Sequence, residues 1–193
     1  MAKIPVHKPT ETKTEFLLLL GASGSGKDYM MRKMTEKGLI PGIKTTTRPP
    51  RKYEIQGVTY DFVDDVTFQA KINCGEMMFY QRFEVAPIDR EPEVWYYGIT
   101  KEEFERAQVF IITPGEFKTI DPEIRKGCFV VYLDIDRDIR ENRILGRRDM
   151  NDSIKRRMDS DEIDFKEFSK SGDYDLRVTD PDFSAEDVWS LMM

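Results

Sequence analysis

The chain of 193 residues holds a single histidine, His7, and it lies in a polar opening segment. That excludes histidine-based triads, imidazole proton relays and histidine-rich metal sites. Its two cysteines, Cys74 and Cys128, have no metal-ligand spacing and are too few for a disulfide framework, so a reducing compartment is expected. Long apolar runs are missing as well. Runs such as Phe16 to Leu20 are far short of a membrane span, and no signal-peptide core precedes that one, so a cytoplasmic location is expected. Basic charge is in deficit: 30 Lys plus Arg stand against 36 Asp plus Glu, a formal charge of -6. Such a balance argues against bulk nucleic acid or an anionic membrane as partner, and any anionic substrate has to be met by a local basic cluster. With 39% hydrophobic residues, 12 Gly and 10 Pro, the composition fits one globular unit with a sizeable core.

Residues 1–14 read as a loose leader and 15–193 as one domain. Glu15 to Leu20 has the length and continuous apolarity of a buried parallel strand. A glycine-rich stretch follows, Gly21 to Gly26, and then a helical pattern from Lys27 to a stop at Gly38. Strand, glycine turn and helix open an α/β unit. Residues 43–98 differ: Thr45 to Thr47, Val58 to Val63, Met77 to Phe83 and Trp95 to Tyr97 are strand-like, with one short helix from Val66 to Asn73. They read as a small β-rich insert. The parallel body returns with a helix over 101–106, strands over 108–113, 128–134 and 175–179, and helices over 139–145, 153–170 and 185–192. A charged loop, 146–152, separates two of those helices.

Gly21-Ala-Ser-Gly-Ser-Gly-Lys27-Asp28 has the Walker A spacing G-x-x-x-x-G-K, with Asp28 where Ser or Thr is usual. Glycines let backbone N–H groups converge on phosphate oxygens, and the following helix adds partial positive charge. Candidate ATP contacts are therefore Gly21, Ser23, Gly24, Ser25, Gly26, Lys27 and Asp28, with Lys27 reaching the transferred phosphate. Asp28 either ligates Mg²⁺, for which a carboxylate is a suitable hard ligand, or only favours the helix N-terminus. Further on, Arg48 and Arg51 flank Pro49-Pro50, with Tyr60 and Tyr97 beyond them. Two arginines and tyrosine hydroxyls can clamp a phosphate, although the arginines alone also read as a solvated loop.

In the ordered set Gly21–Lys27, T-T-R-x-x-R at Thr46–Arg51, G-x-x-Y at Gly57–Tyr60, Y-Y-G at Tyr96–Gly98 and the arginines from Arg143 to Arg157, the chain resembles the guanylate kinase family over about 16–192. The resemblance implies an α/β P-loop NTPase fold: a parallel sheet flanked by helices, a β-rich NMP-binding insert over 43–98 and a helical arginine lid over about 143–157, the core being 15–42 and 99–193. It implies an ATP-dependent nucleoside monophosphate kinase using Mg²⁺. Carried over by position, Arg48, Arg51, Tyr60 and Tyr97 hold the acceptor's phosphate, and Arg147 and Arg157 close with Lys27 on the ATP phosphates. Arg143 and Arg148 are second choices. No general base is needed, because a monophosphate with a second pKa of about 6 is already largely dianionic at pH 7.

The family's guanine pocket matches poorly. Lys44 falls at its small hydroxyl residue, Phe79 at its glutamate, Ile99 at its serine, and Thr113-Pro114 near its acidic pair. A slip of one or two residues brings in Glu76 or Glu84 instead. Phe79 cannot accept a hydrogen bond from guanine, so a pyrimidine or modified base is expected, as in retuned kinases of virus-encoded nucleotide metabolism, where the compartment is the host cytoplasm. An ordinary guanylate kinase is the alternative within the enzyme class. A guanylate-kinase-like binding module is the alternative outside it, against which Lys27 and the lid arginines stand. Val130 to Asp136 resembles a Walker B strand, but Asp134 ending the strand and Asp136 capping the next helix is the preferred reading. The expected partners are ATP and a nucleoside monophosphate, without nucleic acid or membrane, in a monomer or homodimer.

Overall fold

The apolar run after Glu15 becomes a central strand, β1 (Phe16–Gly21), which in this computed structural model is buried on both faces. Residues 15–85, 91–146 and 154–192 are described. The leader (1–14), Arg147, Arg148 and residues 86–90 lie outside them. β1 runs parallel to β6 (Val109–Ile111) on one side and to β7 (Cys128–Leu133) on the other, and β8 (Leu176–Val178) extends the sheet in the order β6-β1-β7-β8. Alternate residues of β1 serve two layers. Leu17 and Leu19 pack with Met30 and Met34 of α1 (Lys27–Glu36) and with Ala185 and Val188 of α8 (Ala185–Met192). Leu18 and Leu20 pack on the other face with Phe104 of α3 (Lys101–Arg106), Phe117 of α4 (Pro114–Thr119), and Phe165 and Phe168 of α7 (Ile154–Ser171).

The second sheet has the order β3-β2-β5-β4, from β2 (Thr45–Thr46), β3 (Asp61–Phe62), β4 (Met77–Val85) and β5 (Glu93–Thr100). Helix α2 (Asp65–Asn73), whose first turn is capped by the Asp64 carboxylate accepting from Thr67 N–H at 2.7 Å, sends the buried Phe68 against Tyr80 and Tyr96 on one face of this sheet. Cross-strand partners share a face, so the other face carries Phe79 with Ile99, Gln81 with Tyr97, and Phe83 with Trp95.

Two short helices, α4 and α5 (Pro122–Arg125), fill a stretch that periodicity leaves unassigned. The start of α4 is a capping box in which Thr113 and Glu116 satisfy each other's backbone N–H, with Pro114 at the first helical position. Helix α6 (Arg137–Gly146) follows Asp136, whose carboxylate accepts from Asp138 N–H at 2.9 Å. Asp134 accepts from Tyr132 at 3.0 Å and is ion-paired with Arg177. Among the described residues no helix is long and apolar enough to cross a membrane.

Candidate active site

The glycine loop links β1 to α1 and is held from behind by α6. Gly24 has φ +79°, and a Cβ there would lie 2.6 Å from the Arg140 carbonyl oxygen, so both its conformation and this close approach require glycine. Gly26, at φ +108°, is the N-cap of α1 and turns the chain into the helix. The Lys27 ammonium donates to the loop's own Gly21 and Ala22 carbonyls at 2.6 and 2.9 Å. Burial lowers its pKa to about 8; Asp28 and Asp161 pull the other way, and Arg157 and Arg140 add to the fall. Asp28 is exposed in the first turn of α1. Ser25 turns its hydroxyl into the fold, fully buried, and spends its N–H on the Ala22 carbonyl at 3.1 Å.

Three arginines converge on this loop. From α7, Arg157 Nε donates to Ser23 Oγ at 2.7 Å. From α6, Arg143 Nη1 reaches the Gly24 and Ser25 carbonyls at 3.3 Å each, and its Nη2 donates to the Pro181 carbonyl at 2.7 Å. Arg140, buried, ties the Ile135 and Ser23 carbonyls at 2.8 and 3.4 Å. Position in the sequence singled out Arg157 and Arg143 but not Arg140, whose signal is only its spacing on the Arg143 face of α6. Asp161 was also unforeseen: its Oδ2 accepts from the Ser23 N–H at 2.7 Å, so a carboxylate of the protein occupies a phosphate-loop amide.

A second cluster gathers the arginines and tyrosines that the sequence singled out after β2. Arg48 follows β2 and is 4% exposed, donating to Glu54 at 2.7 Å and to the Pro49 carbonyl at 2.8 Å, with its guanidinium over the Tyr60 and Phe62 rings. Glu54 also accepts from the Arg51 N–H at 2.7 Å. Burial opposes its charge, but the hydrogen bonds from Arg48 and the Arg51 backbone prevail and hold its carboxyl below the ordinary glutamate value. Tyr60 and Tyr97 meet edge to face at 6.1 Å. Burial raises both phenols, Tyr60 to about 12, so both remain hydroxyl donors at neutral pH. Tyr60 feels Asp28, and Tyr97 feels Arg157, so the cluster and the glycine loop lie within electrostatic reach of each other.

The expected base residues are distributed otherwise. Phe79 is 3% exposed and Ile99 1%; both belong to the core with Phe104, and neither offers surface to a nucleotide. The residue on the same face one step outward is Gln81, which is half-buried and opposite Tyr97. Lys44 does reach this region, donating to both oxygens of the buried Glu116 at 2.7 Å. Glu76 and Glu84 point elsewhere, to Lys71 at 3.3 Å and Arg82 at 2.8 Å, on exposed surface.

The Guanylate kinase family profile matches residues 13–88. A guanylate kinase of Nostoc sp. is 26% identical over 174 residues, covering 89% of this chain and 84% of that protein. One from Helicobacter pylori is 29% identical over 153 residues, covering 74% of this chain and 69% of that protein. Among solved structures, guanylate kinase from Anaplasma phagocytophilum aligns over 94% of this chain and 86% of its own with a TM-score of 0.63 at 15% identity, a likeness of fold. Profile, relatives and fold all liken this chain, with its glycine loop and the arginines around it, to guanylate kinases.

Proposed function

We propose that this protein transfers the terminal phosphoryl group of ATP to a nucleoside monophosphate, NMP + ATP giving NDP + ADP. The observation that carries the reading is the pair of facing anion sites: a glycine loop with Lys27 and Arg157 on one side, and Arg48, Tyr60 and Tyr97 on the other. The residues divide accordingly. Gly21 to Asp28 bind the ATP phosphates, with Arg143, Arg157 and the lid's Arg147 supplying further positive charge. Arg48, Arg51, Tyr60 and Tyr97 hold the acceptor's α-phosphate, the two phenols as neutral donors. The division into a core, an NMP-binding insert and a lid over about 143–157 belongs to the same proposal.

The chemistry asks for positioning and charge stabilisation rather than a base. An oxygen of the acceptor phosphate attacks the γ-phosphorus, the bond to the β–γ bridging oxygen breaks, and ADP leaves carrying that electron pair. Negative charge spreads over the transferred oxygens, where Lys27 and the arginines counter it. Before ATP arrives the Lys27 ammonium rests on loop carbonyls and Asp161 on the Ser23 N–H; both contacts have to be exchanged for phosphate oxygens.

Among the described residues no group of three or more His, Cys, Asp or Glu could hold a metal ion. That fits Mg²⁺ delivered with the nucleotide, since such sites use one or two carboxylates plus phosphates. Asp28 is the carboxylate that would hold it, and the ion would neutralise phosphate charge.

The acceptor base is proposed to be other than guanine. Glu116, the buried carboxylate at that end of the site, is already committed to Lys44 and to the Thr113 N–H. The names of the relatives favour guanylate, which is the second reading. ADP release from ATP with each ribo- and deoxynucleoside monophosphate, including 5-substituted pyrimidines, tests both. Lys27→Ala should lower kcat by about a hundredfold or more with the best acceptor. Turnover unchanged in that variant, or no acceptor in the panel, would overturn the kinase reading.

A further inference from the structure

Helix α6 carries arginines at 137, 140 and 143, and the fold treats the three differently. Arg137, partly exposed, pairs with Asp159 at 2.8 Å and Glu162 at 2.6 Å on α7. Arg143 bonds the Gly24, Ser25 and Pro181 carbonyls. Arg140 is 5% exposed, and no carboxylate among the described residues lies within ion-pair distance of it. Its donors meet neutral groups alone. Nε reaches the Ile135 carbonyl at 2.8 Å, and Nη1 the Ser23 carbonyl at 3.4 Å and Met158 Sδ at 3.6 Å. Asp161, which grips the same serine, uses Oδ2 on the Ser23 N–H.

An enclosed cation without a counter-charge is expensive, and Ile135 and Met158, which it touches, are buried apolar residues. An unbranched apolar side chain of similar length would fill the same place without that cost. Stability therefore does not account for the arginine, but the glycine loop does. Gly24 packs directly on this residue: a Cβ there would lie 2.6 Å from the Arg140 carbonyl oxygen and 3.1 Å from its Cα. The Ser23 carbonyl faces the guanidinium. The peptide is trans, so C=O and N–H point opposite ways and the Gly24 N–H is turned away from Arg140. That N–H has no acceptor among the described residues. Gly24, at φ +79°, accepts either sign of φ, so nothing in the residue itself prevents the peptide from turning over. Turned over, the loop would offer phosphate an oxygen in place of a donor. One bond of 3.4 Å is weak by itself, yet a full positive charge behind the carbonyl still opposes the turn at that range.

We infer that Arg140 is a positioning residue for the nucleotide phosphates: it holds the Ser23–Gly24 peptide with its N–H toward them and sets a buried positive charge behind the loop. Lys27 feels that charge, so it reaches the residues that meet phosphate. When ATP displaces Asp161 from the Ser23 N–H, Arg140 is the group that still fixes the peptide plane. Bound phosphate supplies the counter-charge that the fold withholds. The inference rests on the kinase reading for what the loop binds, and adds a residue that does not itself touch the substrate.

The test compares wild-type protein with Arg140→Met, which keeps bulk and removes charge, and Arg140→Lys, which keeps charge without the guanidinium's fork. Melting temperature without ligand, the Kd of MgADP by calorimetry, and kcat and KM for ATP with the best monophosphate are measured. Arg140→Met should melt at or above wild type, because an enclosed charge has been removed. Its Kd for MgADP should nevertheless rise about tenfold and kcat/KM for ATP fall at least as far, with the Kd of the monophosphate alone within about twofold of wild type. Arg140→Lys should recover part of the lost MgADP affinity. Arg140→Met that binds MgADP as tightly as wild type overturns the inference. So does a variant that melts well below wild type and loses both ligands alike, which would make Arg140 an ordinary part of the core. Absence of turnover with every monophosphate overturns the kinase reading alone, since the MgADP affinities still decide the role of Arg140.

Discussion

At the scale of single residues, Lys27 shows how burial and function pull against each other. Its amine is held near 8 instead of 10.5 because desolvation outweighs the neighbouring carboxylates. In the proposed role the protonated form meets phosphate, so kcat/KM for ATP, which reports the free enzyme, should fall as pH rises through about 8. Asp161 raises that pKa and Arg157 lowers it, so Asp161→Asn should move the alkaline limb to lower pH, a sign a pH–rate profile reads directly. Stability runs the opposite way. Between about 8 and 10.5 the unfolded chain keeps a proton that the folded Lys27 has released, so the ATP-free protein should become more stable over that window as far as this group is concerned. A limb that does not move in Asp161→Asn would mean that Asp161 and Lys27 are not coupled in solution.

At the scale of elements, the segment after β2 is ordered around a charge pair rather than a core. Arg48 and Glu54 have side chains 4% and 12% exposed, and Glu54 also receives the Arg51 N–H, so one carboxylate closes the turn that carries both arginines. Glu54→Ala would leave Arg48 enclosed without that partner, at a cost of about 3 kcal/mol. The variant should melt earlier than wild type yet show a larger upward shift on adding a monophosphate, because the ligand then supplies the missing anion. Equal shifts in the two proteins would place the phosphate away from Arg48. Glu54 was invisible in the sequence, where the two arginines stand out and the acid three residues after Arg51 looks like ordinary surface charge. β4 shows another limit. Period-2 alternation identifies which residues share a face, and it correctly groups Phe79 with Gln81 and Phe83. A slip of two residues along the strand leaves that grouping unchanged, so pattern cannot tell the core end of the face from the site end. Positional match to the family's glutamate put Phe79 in the base pocket, whereas it lies at the core end of that face, 3% exposed. The buried central strand, the glycine turn and the long charged helix were legible because each has a strong local signal: continuous apolarity, Walker spacing and a long helical pattern. Helices α4 and α5 were not, being too short for periodicity, although the Thr113-x-x-Glu116 box with Pro114 marked where α4 begins.

At the scale of the whole molecule, the formal charge of -6 sets the problem the fold has to solve. Two polyanions must approach each other on a protein that repels anions on average. Local clusters answer it: Lys27, Arg140, Arg143 and Arg157 come together from α1, α6 and α7, and Arg48 and Arg51 from the segment after β2. The clusters are coupled across the site, since Tyr97 feels Arg157 and Tyr60 feels Asp28. A ligand that spans both, two nucleosides joined by five phosphates, should then bind as two linked ligands do, with an affinity well beyond either half. Its second half engages at an effective concentration in the millimolar range, so it should stabilise the protein more than ATP and a monophosphate added separately at the same concentration. Added salt should weaken all three ligands, and the spanning ligand most, because it is countered by both clusters at once. Calorimetry at two ionic strengths measures this. A spanning ligand that binds no tighter than ATP alone would show that the two clusters do not face a common site, whatever the family of the chain.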